Sequence, residues 1–445
     1  MKGYRDNAKN LLKSASVDIG DRIKIRKRGQ EFEGLLMPRT KGEAADHIVM
    51  KLDSGYNIGI KATEDTEIEK IREGKEPEMR RHGEKVEPDA DKPNISIIGT
   101  GGTVASRVDY RTGAVHPAFS ASEIYNSAPE IAEIANIETN NVCNVLSENM
   151  TPELWSKVGN AVAEDLNDGA DGVIVAHGTD TMSYTASALS FMLKNLSKPV
   201  VLVGSQRSSD RPSSDVTLNL TGAVSVAISN LAEVCVVMHG STEDEFCLIH
   251  RGTKVRKCHT SRRDAFQSIN DLPLGIVRDK SVRFFQDKRG RRKNGKVEVE
   301  DGFEEKVALV KIFPSIQGEI IEKLIEDGYK GIVLEGTGLG HTPESLFSGI
   351  EKAIEKNIPV AMTSQCIWGR TNMRVYSTGR DLLDLGVFPV EDMLPETALV
   401  KMMWILDKTQ EMEEVQARMK ENIAGEISSR TRADTFLKPK IPGEE

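Results

Sequence analysis

The sequence predicts an α/β protein with a small antiparallel β-barrel ahead of it, and three observations point there. From Asn94 onward, apolar runs that end in glycine and polar residues (ISIIGTGG, DGVIVAHGTD, KPVVLVGSQR, EVCVVMHG) alternate with helical stretches. Before them come short β-rich runs broken by turn residues, and a charged, proline-punctuated segment separates the two textures. At 445 residues the chain also exceeds what one hydrophobic core ordinarily serves, so two or three domains are expected.

The first texture runs from about Val17 to Ile71, with turns at Gly29, Gly34, Pro38 and Ser54-Gly55. Arg22, Lys24 and Arg26 alternate with Ile23 and Ile25, which gives a strand one basic and one apolar face. An SH3-like barrel over residues 1–72 is the expectation, followed by a linker over 73–92 that contains Pro77 and Pro88. The later apolar runs are too continuous for a half-exposed strand and read as parallel strands buried on both faces. They place a large α/β domain at 93–287. Lys288 to Lys296, KRGRRKNGK, centres on the turn dipeptide Asn294-Gly295 and marks a basic hairpin or linker over 288–305. VALVKIFP, YKGIVLEGTG and NIPVAMTSQ then repeat the buried-strand pattern in a smaller α/β domain at 306–425. Its end reads as helix from about Thr397 to Asn422, and 426–445 as a polar tail.

Composition narrows the function. The formal charge of −9 argues against a protein that coats nucleic acid non-specifically. No apolar run approaches the roughly 20 residues of a membrane span, and no signal-peptide core opens the chain, so a cytoplasmic protein is expected. The five cysteines are scattered without a C-x-x-C pair, and buried free thiols are the plain reading. There is no G-x-x-x-x-G-K-[ST] phosphate loop and no clustered His/Cys/Asp set, so no cofactor and no metal are expected on this chain.

In an open parallel sheet, ligands bind beyond the carboxyl ends of the strands. Three strand ends carry chemistry here: GTGGTVAS at 99–106, AHGTDT at 176–181, and VRKCHTSRRDAF at 255–266 after a less obvious strand. The first is not a dinucleotide loop, because the third glycine of G-x-G-x-x-G would fall at Val104. Its glycines let the backbone approach a small substrate and hold a threonine hydroxyl exposed, although a plain strand-to-helix turn has the same look. The second sets a hydroxyl beside the carboxylate of Asp180, which helix capping alone could explain. The third contains Lys257, and a lone lysine is by default a surface residue.

In this order and spacing the three motifs resemble the bacterial-type L-asparaginases and their glutaminase relatives, over roughly Pro93 to Asn422. The resemblance implies Thr103 as nucleophile, with Thr179, Asp180 and Lys257 as the second threonine, aspartate and lysine of the active site. Tyr110 is similar in placement to a tyrosine that contacts the nucleophile. Ser147 and Glu148 fall where the substrate's α-carboxylate and α-amino groups are held, Glu148 replacing the amide or small polar residue of many members. A threonine hydroxyl needs a nearby base, and a lysine serves only if burial lowers its pKa against the pull of Asp180. The expected reaction is attack by Thr103 on a side-chain amide, with backbone N–H groups near Gly102 and Thr179 holding the oxyanion.

Stand-alone asparaginases begin close to their first strand, whereas here more than 90 residues precede it. The barrel, the reading SRVDYRTGAVHP, and QCIWGRTNMRVYSTGRDLLDLGVFP at 365–389 resemble the D-subunit family of archaeal glutamyl-tRNA(Gln) amidotransferases. That resemblance implies a glutaminase that takes glutamine or asparagine as amide donor and passes ammonia to the amidotransferase E-subunit. That partner would hold Glu-tRNA(Gln), ATP and magnesium. The resemblance also implies a homodimer core within a heterotetramer, with GTGLGH at 336–341 either reaching a neighbour's pocket or simply making a turn. The basic groups at Arg22–Arg28 and Lys288–Lys296 read as solvated faces sooner than as tRNA contacts, since neither has interleaved aromatic residues. A free-standing cytoplasmic L-asparaginase is the alternative; a non-catalytic module would have lost part of the constellation.

Overall fold

The computed structural model describes residues 4–37, 46–52, 57–73, 89–101, 107–108, 115–116, 128–207, 214–285 and 295–436. The first unit is a helix and five strands: α1 (Asp6–Ser14), β1 (Arg22–Lys27), β2 (Gln30–Leu36), β3 (His47–Leu52), β4 (Asn57–Lys61) and β5 (Glu67–Arg72). The strands are antiparallel in the order β4-β3-β2-β1-β5. The alternation in β1 sorts its residues as expected, with Ile23 and Ile25 fully buried. The helix was not anticipated. It drops Ala8 and Leu12 onto the sheet's core, while the Tyr4 hydroxyl donates to Met37 O at 2.6 Å and accepts from Val49 N at 3.1 Å. The basic face of β1 is internally neutralised: Arg22 pairs with Glu33 at 2.7 Å, Lys24 with Glu31 at 2.7 Å, and Arg26 with Glu31 at 2.9 Å. Charges spent in this way offer little to a phosphate backbone.

The second unit is built on an eight-stranded sheet. Its parallel core comprises β6 (Asn94–Gly99), β9 (Asn136–Asn141), β10 (Gly172–Ala176), β12 (Val200–Val203) and β13 (Val234–His239), with the short pair β7 (Arg107–Val108) and β8 (Val115–His116) between the first two. Three antiparallel strands, β14 (Cys247–Arg251), β17 (Gly275–Arg278) and β18 (Ser281–Phe284), complete the order β18-β17-β14-β13-β12-β10-β6-β9. Strand β10 shows why the apolar runs are continuous. Val173 and Val175 enter the core under α2 (Pro152–Asn167) and α3 (Met182–Met192), and Ile174 and Ala176 enter the opposite core under α4 (Val216–Ala227). A separate hairpin, β15 (Val255–Lys257) with β16 (Phe266–Ser268), follows β14. The two-residue strands β11 (Leu193–Lys194) and β19 (Glu298–Val299) pair with each other. The basic stretch at 288–296 and the linker at 73–92 fall largely outside the described residues.

The third unit is a four-stranded parallel sheet of β20 (Val307–Lys311), β21 (Gly331–Gly336), β22 (Val360–Ser364) and β23 (Phe388–Pro389), in that order. Its helices are α5 (Glu319–Glu326), α6 (Phe347–Glu355), α7 (Ser377–Leu385), α8 (Pro395–Leu406) and α9 (Met412–Lys420). The helix expected from Thr397 to Asn422 is therefore two helices with a break at 407–411. Nearly every residue of α8 is buried, because it lies between the sheets: Trp404 stacks on Phe191 of α3 at 6.0 Å, and Thr397 meets Ser187 at 3.0 Å.

Candidate active site

A ligand crevice is expected in such a sheet where neighbouring connections part, and here that point falls between β6 and β10. β6 leads to β9 on one flank and β10 leads to β12 on the other, so their connections part at this point. Gly99 pairs with Ala176, and Thr100 donates both its N–H and its hydroxyl to Ala176 O at 3.1 Å. Gly101 has φ +106°, and a Cβ there would sit 2.3 Å from Val145 O, so only glycine fits. Thr103 comes two residues later; it and Tyr110 lie outside the described residues.

The end of β10 and the hairpin β15–β16 converge although they are far apart in sequence. Lys257 Nζ donates to Thr179 Oγ1 at 2.8 Å and to Asp180 Oδ1 at 2.7 Å. Thr179 is buried, the Lys257 side chain is 14% exposed, and Asp180 is 66% exposed. The group is thus walled on one side and open on the other. Ser147 joins from the 3-10 turn at Ser147–Asn149: its carbonyl accepts the Thr181 hydroxyl at 2.6 Å, and its side chain lies against Gly178, where a Cβ would be 2.7 Å away. Glu148, next on that turn, is exposed.

Several supporting residues have roles that the sequence does not signal. His177 is fully buried, and burial pushes its pKa down to about 4. Its Nδ1 donates to Gly178 O at 2.6 Å and its Nε2 contacts Thr185 Oγ1 at 2.8 Å. The strand that carries Lys257 is tied to the third unit by Lys254, which bonds Asp392 Oδ2 at 2.8 Å, and by Arg256, 3.7 Å from Glu396. The far end of the same hairpin is held by Arg263, 2.5 Å from Asp244, which in turn contacts His239 at 3.2 Å. His239 meets Asn219 at 2.6 Å, and Asn219 reaches the buried Asp215 at 3.0 Å. Hence both ends of the Lys257 hairpin are fixed, one to each α/β unit.

The segment 336–341 forms a tight turn: Gly338 and Gly340 have positive φ, and Thr337 and His341 bridge each other. Among the described residues, no group of His, Cys, Asp or Glu could hold a metal ion, and no helix is long and apolar enough to cross a membrane. All five cysteines are free.

Known proteins match each unit. Residues 94–289 match the family "Asparaginase, N-terminal", residues 306–419 match "Glutaminase/Asparaginase C-terminal domain", and residues 17–71 match "GatD N-terminal domain". The D-subunit of glutamyl-tRNA(Gln) amidotransferase from Pyrococcus abyssi is 55% identical over 435 residues, which cover 96% of this chain and 99% of that protein. The chain belongs to the D-subunit family of glutamyl-tRNA(Gln) amidotransferases. The D-subunit from Thermococcus kodakarensis is 54% identical, with 96% and 98% covered. Among solved structures, the thermostable L-asparaginase from the same organism is 34% identical with a TM-score of 0.68, covering 76% of this chain and 100% of that one. L-asparaginase I from Vibrio cholerae is 29% identical with a TM-score of 0.66, covering 76% and 99%. The asparaginase-like α/β fold with an added N-terminal β unit is therefore the family's architecture, as the sequence predicted.

Proposed function

We propose that this chain is the glutaminase-type amidohydrolase component of a glutamyl-tRNA(Gln) amidotransferase, with Thr103 as nucleophile. The observation that carries the reading is the single side-chain nitrogen of Lys257 bonded to both Thr179 and Asp180, at the strand ends where the Thr103 loop begins. Such a cluster can move a proton between a hydroxyl and a departing group. Thr103 Oγ attacks the amide carbon, its proton passing through Thr179 and Lys257, while the carbonyl oxygen takes up the electron pair. Collapse breaks the C–N bond, the proton goes to nitrogen, and ammonia departs. Water then attacks the ester, releasing glutamate and restoring the threonine. Proton transfer by positioned groups of this kind is worth about 10²–10⁴ in rate.

Ammonia is the useful product in this reading, delivered to the amidotransferase E-subunit, which activates Glu-tRNA(Gln) with ATP and magnesium. The first 90 residues favour it over a free-standing asparaginase, since the solved asparaginases align with only 76% of this chain. Two copies of the chain would form the core of the assembly. Thr103→Ala tests the chemistry: ammonia release from glutamine should vanish while the circular dichroism and melting profile are kept. Full activity in that variant would sink the assignment. Glutaminase activity that rises with Glu-tRNA(Gln) and a co-purifying partner supports the amidotransferase; high asparaginase turnover by the lone chain reverses it.

A further inference from the structure

Trp155, Thr185, His177 and Gly178 form a line of hydrogen bonds with one consistent set of protons. Gly178 O can only accept, so its 2.6 Å contact fixes a proton on His177 Nδ1. The bare Nε2 then accepts the Thr185 hydroxyl at 2.8 Å. The Thr185 oxygen accepts the Trp155 indole N–H at 3.1 Å. Burial pushes the ring's pKa down to about 4, so the imidazole is neutral and keeps this tautomer at neutral pH.

The consequence falls on the next peptide. The described chain has no cis bonds, and in a planar trans peptide the C=O and N–H point in opposite directions. With Gly178 O drawn toward the buried imidazole, the Thr179 N–H is turned the other way, out of the core. It has no hydrogen-bond partner among the described residues. Gly178 is packed closely against Ser147, where an added Cβ would approach to 2.7 Å, and this limits rotation of the peptide. A buried residue whose N–H has no partner among the described residues, beside a proton-transfer cluster, is the geometry that receives an oxyanion.

We infer that His177 is a positioning residue, which aims the Thr179 N–H at the oxyanion through the Gly178 carbonyl, its tautomer set by Thr185 and Trp155. The inference rests on the amidohydrolase reading above. It distinguishes this histidine from an ordinary core side chain, whose removal would cost stability and leave the rate per folded molecule alone.

The test uses the full-length chain with His177→Leu, His177→Asn, Thr185→Val and Thr185→Ser. Asparagine keeps an N–H donor near the Nδ1 position and leucine does not; serine keeps the hydroxyl and valine does not. The readouts are kcat and KM for glutamine, and the affinity of an aldehyde analogue of the substrate. In that adduct the Thr103 Oγ–C bond forms, the carbonyl π pair moves to oxygen, and the threonine proton follows it. His177→Leu should lower kcat by about 10²-fold, the scale of a misplaced reacting geometry. KM should move less than about 3-fold, and aldehyde affinity should fall in parallel with kcat. His177→Asn and Thr185→Ser should restore most of the loss. Equal kcat in the leucine and asparagine variants, a loss confined to KM, or unchanged aldehyde affinity would each overturn the inference. If His177→Leu does not fold, the valine–serine pair at 185 decides in the same way. Wild-type chain that forms no aldehyde adduct overturns the nucleophile reading instead, so the two failures are separable.

Discussion

Lys254 and Lys257 stand three residues apart on one connection, and each is paired with an aspartate. Lys254 is fully buried against an Asp392 side chain that is 2% exposed; Lys257 is 14% exposed against an Asp180 side chain that is 66% exposed. Asp392 is held from all sides: its carboxylate also accepts Ser428 N at 2.8 Å, and its carbonyl accepts Asn270 Nδ2 at 3.1 Å. Burial pulls the Lys254 pKa below 10.5 despite the opposing pull of Asp392. The sealed pair has no route for a proton and no space for a substrate, so it acts as a rivet between units. The open pair can exchange protons. The same two residue types thus give structure or chemistry according to what closes over them.

The largest effect should come from the open pair, and in rate alone. Lys257→Met removes the group that binds Thr179 and should cut amide hydrolysis by about 10²–10⁴-fold. The Asp180 side of its ion pair faces solvent, so stability should change by no more than about 1 kcal/mol. Ammonia release and urea unfolding on the same preparation check both halves. Retained turnover would break the comparison, because the open pair would then have no chemical role.

The sealed pair should behave in the opposite way. Lys254→Met leaves the buried Asp392 with only the more distant, partly exposed Arg370 at 3.6 Å, which should cost at most about 3–5 kcal/mol of stability. Replacing both partners by apolar residues should recover much of that loss, since a buried ion pair and a well-packed apolar pair are often close in free energy. Urea midpoints at constant slope provide the measurement. A Lys254→Met chain as stable as the parent would mean that the pair is not sealed in solution.

The sequence reveals these two kinds of residue unequally. Strands such as Gly172–Ala176 are legible because burial on both faces leaves a continuous run of valine and isoleucine, and β1 is legible because one buried face imposes alternation. The partners of the β1 cations are not legible, since Glu31, Glu33 and Glu69 face them only through strand register. Thr179 and Lys257 stood out only through family resemblance, because the sheet brings them together across 78 residues. His177 lies inside the AHGTDT motif, yet neither its role nor that of Lys254 is legible: both depend on what surrounds them in three dimensions, and a buried lysine in sequence looks like any other. The break at 407–411 was hidden too, in a stretch whose residues are all compatible with helix.

Between the two lysines, Arg256 and Glu396 make an intermediate case, and it supplies the smallest and most discriminating test. Arg256 is 32% exposed while Glu396 is 6% exposed, with 3.7 Å between them. Burial raises the Glu396 pKa above 4.5, and Arg256 only partly offsets it. A carboxyl raised in this way contributes stability that is fully present below pH 4.5 and is lost as pH rises through its folded value, because the folded chain holds the proton longer. At pH 7 Glu396 is therefore a net cost. Glu396→Gln should stabilise the protein by on the order of 1 kcal/mol at pH 7, and the gain should shrink toward zero as pH falls to about 4.5. Denaturant midpoints of parent and variant across that window give the difference directly, free of the other carboxylates common to both. A variant that is less stable at pH 7 than at pH 5, relative to the parent, would show that attraction to Arg256 outweighs burial. The pair would then belong with the open Lys257–Asp180 contact rather than with the sealed one.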